Sequence, residues 1–382
     1  MLLAAPELWV LVMACVILVV DLFLREERRG IIHLMALITL VFAAIITLRA
    51  DYLAAGTVSA LAFNGSLIRD PMGDVLKLFS YVVLAIVFIY AKFNLRQFRM
   101  FRADFYTLTL FALLGVMLLI SANSLVTIYL GLELISLSSY ALVAFDRDSP
   151  RGSEAAMKYF VLGSMASGML LYGMSMIYGA TGTLDLAEVA QAVQGTGADA
   201  TLLVFGMVFL IVGLAFKLGI VPFHMWIPDV YHGAPVATTL FISSVPKMAA
   251  FAMAIRLLQT GLGALHDDWS QMLAVLAMLS IVLGNLAAIA QSNIKRMLAY
   301  STIAQIGFVV LGLSAGVVSG NTLSAGNAYS SAMFYMVSYV FTTLGTFGLI
   351  MFLSRQGFES EEIDDLAGLS QRSPWVAGAM TV

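Results

Sequence analysis

One cysteine, Cys15, and four histidines are all the thiol and imidazole groups this sequence of 382 residues contains. A lone cysteine excludes a disulfide framework and a cysteine metal cluster. The histidines, His33, His224, His232 and His266, show no ligand spacing. Charge is scarce as well: 11% of residues are Asp, Glu, Lys or Arg, and the net charge of −3 gives no case for a nucleic-acid partner. The P-loop pattern is missing, and no stretch is long and polar enough to form a nucleotide-binding domain. Low-complexity segments and extended linkers are lacking too. What remains is apolar, with 61% hydrophobic residues and a mean hydropathy of +0.94. A soluble domain cannot hide that much apolar surface, whereas a bilayer accepts it as solvent.

A spanning helix needs about 20 mostly apolar residues. That rule places helices near 7–24, 31–49, 72–91, 104–121, 123–145, 154–180, 201–221, 235–258, 270–290, 297–316 and 327–353. The opening run, Met1 to Val20, has no basic n-region and no clear small-residue cleavage site, so it reads as the first span rather than a signal peptide. A twelfth span starts near Pro374 and meets the end of the sequence at Val382 partway across a membrane, which implies a longer parent protein. The expected fold is an all-α polytopic membrane protein with 11 complete transmembrane helices and a truncated twelfth.

Lys and Arg near helix ends set the orientation. The connections after the odd-numbered helices hold thirteen of them, including Arg25, Lys92, Arg99, Arg102, Arg147, Arg151, Lys295, Arg296 and Arg355; the opposite side offers three, Arg49, Arg69 and Arg256. The N-terminus is therefore expected outside, with the odd-numbered connections in the cytoplasm. Two longer connections, Ala50 to Pro71 and Gly182 to Ala200, lie on the outer side, and Leu184, Leu186, Val189, Ala190 and Val193 have the spacing of a short interfacial helix.

Charges inside the spans are the informative exceptions. Glu133 and Lys247 fall mid-helix, Lys217 ends the apolar run from Leu202 to Phe216, and Lys158 lies about one turn into its helix. An ionisable group at the bilayer centre costs at least about 2.5–3.5 kcal/mol. The plain reading is that each charge pairs inside the bundle and fixes helix packing, or, for Lys158, snorkels to the cytoplasmic surface. The functional reading rests on the same physics. Desolvation lowers the proton affinity of a buried lysine and a nearby carboxylate raises it, so a movable Glu–Lys pair in a dry bundle can load and release a proton. Glu133 with Lys217 is the best such pair; Lys158 would modulate it and Lys247 would relay the proton onward.

The run Lys217-Leu-Gly219-Ile-Val-Pro222-Phe-His224-Met-Trp-Ile-Pro228 must open the helix, because proline removes a backbone donor and clashes with the preceding turn. Opened backbone at membrane depth survives only inside protein or beside a water-filled cavity, and broken helices mark ion sites in transporters. Pro246 beside Lys247 suggests a second, milder distortion. His224 and His232 flank the break and are offered as relay groups, although hydrogen bonding at a helix end is the plainer role for both. Lys295 and Arg296 read as ordinary inside-facing anchors. Gly163, Ser164, Ser167 and Gly168 read as close-packing positions.

The stretch Phe216-Lys-Leu-Gly-Ile-Val-Pro-Phe-His-Met-Trp-Ile-Pro-Asp-Val-Tyr231 through Ser244-Val-Pro-Lys-Met-Ala-Ala-Phe251 resembles the antiporter-like membrane subunits of respiratory complex I, and its wording is closer to the subunit N branch than to subunits L or M. Gly284 through Gly307 agrees, and the resemblance runs over essentially the whole chain. It implies inverted five-helix repeats, with residues 1–103 as three N-terminal helices, 104–260 as the first repeat and 261–382 as a truncated second. Carried over by motif, Glu133, Lys158, Lys217 and Lys247 match the family's proton-transfer residues. The family's later lysine would lie beyond Val382. The resemblance further implies proton pumping in a bacterial inner membrane alongside other membrane subunits, notably M and K. It places NAD, FMN, iron–sulfur clusters and quinone in partner subunits and no cofactor in this one. Two rival readings remain open at this point: a subunit of a multisubunit cation/proton antiporter, and a membrane scaffold whose charges only hold helices together.

Overall fold

Apolar stretches of spanning length, punctuated by capping residues, fold into a helical bundle in the computed structural model of the chain. It describes residues 2–25, 28–49, 59–98, 100–195, 199–316, 325–354 and 361–381. Arg99, Arg355, Val382 and residues 50–58 of the first long connection, all used above, lie outside that set. Among the described residues, ten helices are long and apolar enough to cross a membrane. They correspond to ten of the eleven expected spans. The other expected span is α1 (Ala5–Asp21), an apolar helix of 17 residues.

The next helices are α2 (Gly30–Leu48), α3 (Pro71–Gln97), α4 (Ala103–Ile120), α5 (Leu125–Val143) and α6 (Pro150–Thr181). Their starts follow local chemistry. Asp70 accepts from the Gly73 amide at 2.8 Å and Ser149 from the Gly152 amide at 3.0 Å, each just before a proline in the first helical position. The expected interfacial helix is α7 (Leu186–Gln194), which is capped by Asp185 and buries Leu186 and Val189. Then come α8 (Ala200–Leu218), α9 (Trp226–Gly233), α10 (Val236–Ile242), α11 (Val245–Ala254), α12 (His266–Ile289), α13 (Ile294–Ser314), α14 (Ala325–Leu353), a short α15 (Leu369–Arg372) and α16 (Pro374–Thr381). The last starts where the twelfth span was expected.

An antiparallel hairpin, β1 (Ala60–Ala62) with β2 (Leu67–Arg69), was not anticipated. Its Ile68 amide donates to the Ser121 carbonyl, and the Leu125 amide donates to Leu184, so the connections after α2, α4 and α6 knit into one face. On the opposite face the Ile294 amide donates to Glu361, joining the connections after α12 and α14.

Three of the basic residues that set the expected orientation are buried and paired rather than solvated at the surface. Arg69 is buried, donating to Asp74 at 3.2 Å and to the Thr47 carbonyl at 2.7 Å. Arg256 is buried in a bidentate pair with Asp70 (2.7 and 2.9 Å), on a turn that widens to π spacing over Ile255–Gly261. On the other face Lys295 does not snorkel like an anchor. It is 2% exposed and donates to Glu361 at 2.7 Å and to the Ala234 carbonyl at 3.2 Å. Of the small residues, Gly163 does mediate close packing, since an added Cβ would lie 2.0 Å from the Tyr140 hydroxyl. Gly168 has open space around it, and Ser164 is exposed.

Enclosure is uneven. In the span Val236–Gly261, 94% of the most apolar stretch is buried within the protein, against 22% for Gly263–Ile289. Lys247 therefore sits on the most enclosed of the ten.

Candidate functional site: the break after Lys217

The break opens where the prolines require it. Helix α8 ends at Leu218, Gly219 follows with φ +80°, and the helical path resumes only at Trp226. Glycine is needed at 219 twice over: the conformation is left-handed, and a Cβ there would stand 1.9 Å from Ile227 Cδ1. The second distortion also occurs. It falls between α10 and α11 at Ser243 and Ser244, whose hydroxyls donate back to the Leu240 carbonyl at 3.1 and 2.6 Å.

Opening a helix in an apolar interior frees backbone groups that must be bonded again. Here side chains do it. The Trp226 indole N–H donates to the Phe216 carbonyl at 3.0 Å. Lys247 Nζ donates to the Leu218 carbonyl at 2.7 Å and lies 3.5 Å from the Lys217 carbonyl. The Val221 amide donates to Ser280 Oγ at 2.9 Å. Lys247 thus caps the broken end of α8 with a cation, which the negative end of the helix dipole favours. Its ammonium also lies 5.1 Å from the Trp226 ring centre, and Trp226 in turn stacks on Tyr159 (4.6 Å) and Phe216 (5.6 Å).

Lys217, in the last turn of α8, points at α5. Its Nζ donates to Ser136 Oγ at 2.7 Å. Glu133 lies three residues before Ser136, hence on the same helix face. Its Oε1 is buried with no hydrogen-bond partner. Lys217, Lys247, Ser136, Tyr159, Trp226 and Pro246 line a small cavity of about 30 Å³. A space of that size holds roughly two water molecules.

The sequence-derived set is therefore divided. The structure brings Glu133, Lys217 and Lys247 together around the break. Lys158 is elsewhere: its side chain is 46% exposed, and its Nζ bonds Glu154 and Asp229, each at 2.9 Å. The reason is helical phase. Tyr159 is buried against Trp226, which turns its neighbour Lys158 outward toward α9. Arg296 shares Asp229 at 3.0 Å. His224 lies half-buried on the break itself. His232 sits at the far end of α9, 3.3 Å from Arg151 and 3.9 Å from the Glu361 carboxylate, away from Lys217. The sequence reading missed Ser136, Ser280, Tyr159 and Trp226. Ser136 was within reach of it, being one turn from Glu133; Ser280 comes from a span with no other signal.

A helical bundle in which a spanning helix opens around two buried lysines, with a carboxylate across the gap, defines an antiporter-like transmembrane subunit. Residues 122–382 match the family described as NADH:quinone oxidoreductase/Mrp antiporter, transmembrane. NADH-quinone oxidoreductase subunit N of Azoarcus sp. (strain BH72) is 54% identical over 377 residues, which is 99% of this chain and 76% of that protein. Among solved structures, a chain of respiratory complex I from Thermus thermophilus superposes with a TM-score of 0.78 at 32% identity, over 97% of this chain and 75% of its own. A chain of an archaeal membrane-bound sulfane sulfur reductase gives 0.83 at 26% identity, over 99% and 76%. The chain belongs to the subunit N branch of the NADH:quinone oxidoreductase/Mrp antiporter family.

Proposed function

We propose that this chain is a proton-translocating membrane subunit of an NADH:quinone oxidoreductase, driven by redox chemistry in other subunits. It sits in a bacterial inner membrane beside further membrane subunits, M and K among them, with its N-terminus on the outer side. Residues 104–260 form the first antiporter-like repeat and 261–382 part of the second. The identity to subunit N over nearly the whole chain favours this reading above a subunit of a multisubunit cation/proton antiporter.

One observation carries the mechanism: Lys217 and Lys247 are held by a hydroxyl and by carbonyls rather than by carboxylates. A buried ion pair is locked in its charged form, because neutralising one partner strands the other. A buried ammonium held by neutral acceptors can give up its proton and leave no stranded partner. In this reading Glu133 biases Lys217 through space, the cavity between the two lysines carries the proton across, and Lys247 passes it onward. Lys158 modulates the site through Asp229 on the far half of the broken helix, while His224 and His232 extend the route at either end of that half.

Proton translocation per NADH oxidised, measured in sealed vesicles, tests this with Lys217→Ala and Lys217→Arg in the assembled complex. The alanine variant should assemble and pump less, with the arginine variant, permanently charged, also impaired. Full stoichiometry in both would remove Lys217 from the path.

A further inference from the structure

At the face bearing the basic connections, α1, α4 and α5 leave a groove of about 390 Å³ between them. Arg102, just before α4, and Arg147, just past α5, stand at its mouth, and both are exposed. Leu18, Leu108 and Phe111 wall it further in. Phe111 is eight residues beyond the first residue of α4, so the apolar wall runs about 12 Å inward from the mouth at the helical rise per residue. Asp104 lines the mouth as well and is exposed, leaving the rim with two cations and one anion.

The two arginines are among the helix-end cations that have no carboxylate partner, as are Arg49 and Lys92 among the described residues. Arg69, Arg256, Lys158, Lys295 and Arg296 all have carboxylate partners. Among the described residues neither Arg102 nor Arg147 has an ion pair or a side-chain hydrogen bond. The first turn of α4 also lacks a side-chain cap, so its free amides and the positive end of the helix face the same mouth. A site with fixed positive charge at the membrane surface and an apolar channel leading inward recognises one chemistry, an anion joined to a hydrocarbon chain.

We propose that this groove binds a single anionic phospholipid, with its phosphate between Arg102 and Arg147 and one acyl chain along Leu18, Leu108 and Phe111. A zwitterionic lipid fits less well, because its own ammonium opposes the arginines. A soluble phosphate leaves the apolar wall unused. The site lies apart from the break after Lys217, and its occupancy does not depend on the proton route.

The experiment reconstitutes the purified assembly, containing the full-length protein, into phosphatidylcholine nanodiscs doped with photoactivatable phosphatidylglycerol or photoactivatable phosphatidylcholine. Crosslinked peptides are then mapped by mass spectrometry. The anionic probe should label peptides containing Leu18, Leu108 or Phe111 preferentially, and Arg102→Ala with Arg147→Ala should lower that labelling about fivefold per arginine. Arg102→Lys with Arg147→Lys should keep most of it. Leu108→Trp, which fills the groove without touching its charge, should block labelling even if the alanine variants fail to assemble. Equal labelling by the two probes, or no response to Leu108→Trp, overturns the proposal. So does absence of label in the groove of the assembled complex, which would mean that a neighbouring subunit covers it.

Discussion

Two of the regions that hold buried charge in this protein are wired differently. At the hairpin end of the N-terminal helices, the buried charges among the described residues meet opposite charges directly. Glu7 pairs with Lys77, Arg69 with Asp74, and Arg256 reaches across to Asp70. Around the break after Lys217, the ammonium groups instead meet a serine hydroxyl and two backbone carbonyls, and the Glu133 carboxylate stands off with Oε1 unbonded. A cavity adjoins the second group. Closed pairs fix charge and hold helices in register, whereas open contacts let charge change. The number of buried charges does not tell the two apart; their partners do.

The largest effect expected of this contrast is on folding, and it belongs to the closed region. Lys77→Ala strands the Glu7 carboxylate in the interior, and removal of one partner of a buried pair costs about 3–5 kcal/mol. Assembled protein in membranes should fall steeply, and the thermal midpoint of whatever assembles should drop. Replacing both partners, Glu7→Leu with Lys77→Met, should restore most of the loss, because an apolar pair of similar volume needs no compensation. Proton transfer per assembled molecule should equal wild type in the rescued double variant. If the rescued protein assembles but pumps poorly, Glu7 and Lys77 belong to the proton path and the division between the regions fails.

A smaller change, in rate rather than folding, is expected at the open site. Ser136→Ala removes the hydroxyl that accepts from Lys217. Hydrogen bonds to charged groups contribute about 1.5–3 kcal/mol. The proton-transfer rate should fall roughly 10- to 100-fold where that bond orients the ammonium in the slow step. Assembly should be near normal, since the cavity beside Lys217 offers room for water to take the hydroxyl's place. Ser136→Thr keeps the oxygen and should retain most of the rate. An alanine variant that pumps normally would show that Lys217 is oriented by something else, leaving Glu133 as the group to examine.

How far the sequence anticipated these regions follows from what each signal depends on. Spans and the break were legible because apolar length and proline chemistry are local properties, so ten expected spans, the opening after Lys217 and the distortion by Pro246 all appear. Glu133, Lys217 and Lys247 were legible as charges in apolar runs. Which acceptor each lysine meets was not, because Lys217 reaches Ser136 and Lys247 reaches the Leu218 carbonyl only across elements far apart in the chain. The closed region was passed over for a related reason. Glu7 and Lys77 fall within two turns of their helix starts, where a charge is expected to snorkel, and only the bundle turns them toward each other. Arg69, read as a charge in an outer-side connection, and Arg256, read as one at a helix end, were counted as surface charges on the same logic. The hairpin at 60–69 is too short for an alternating apolar pattern, and its one local signal is the turn pair Asn64-Gly65, both residues with positive φ.

The smallest effect separates Lys158 from the other two lysines. Its contacts are partly exposed on both sides, with side-chain exposures of 46% for Lys158 and 34% for Asp229, and exposed pairs contribute only about 0–1 kcal/mol. Asp229 also keeps Arg296 at 3.0 Å when Lys158 is removed. Lys158→Met should therefore shift the thermal midpoint of the assembled protein by little, and a double-mutant cycle with Arg296→Met should give a coupling below about 1 kcal/mol. Proton transfer should fall by a few-fold at most, because Lys158 touches the far half of the broken helix and not the cavity. A loss as deep as that of Lys217→Ala, in a variant that assembles normally, would place Lys158 in the relay itself. It would then follow that α9 rotates during turnover to bring Asp229 and Lys158 toward the break.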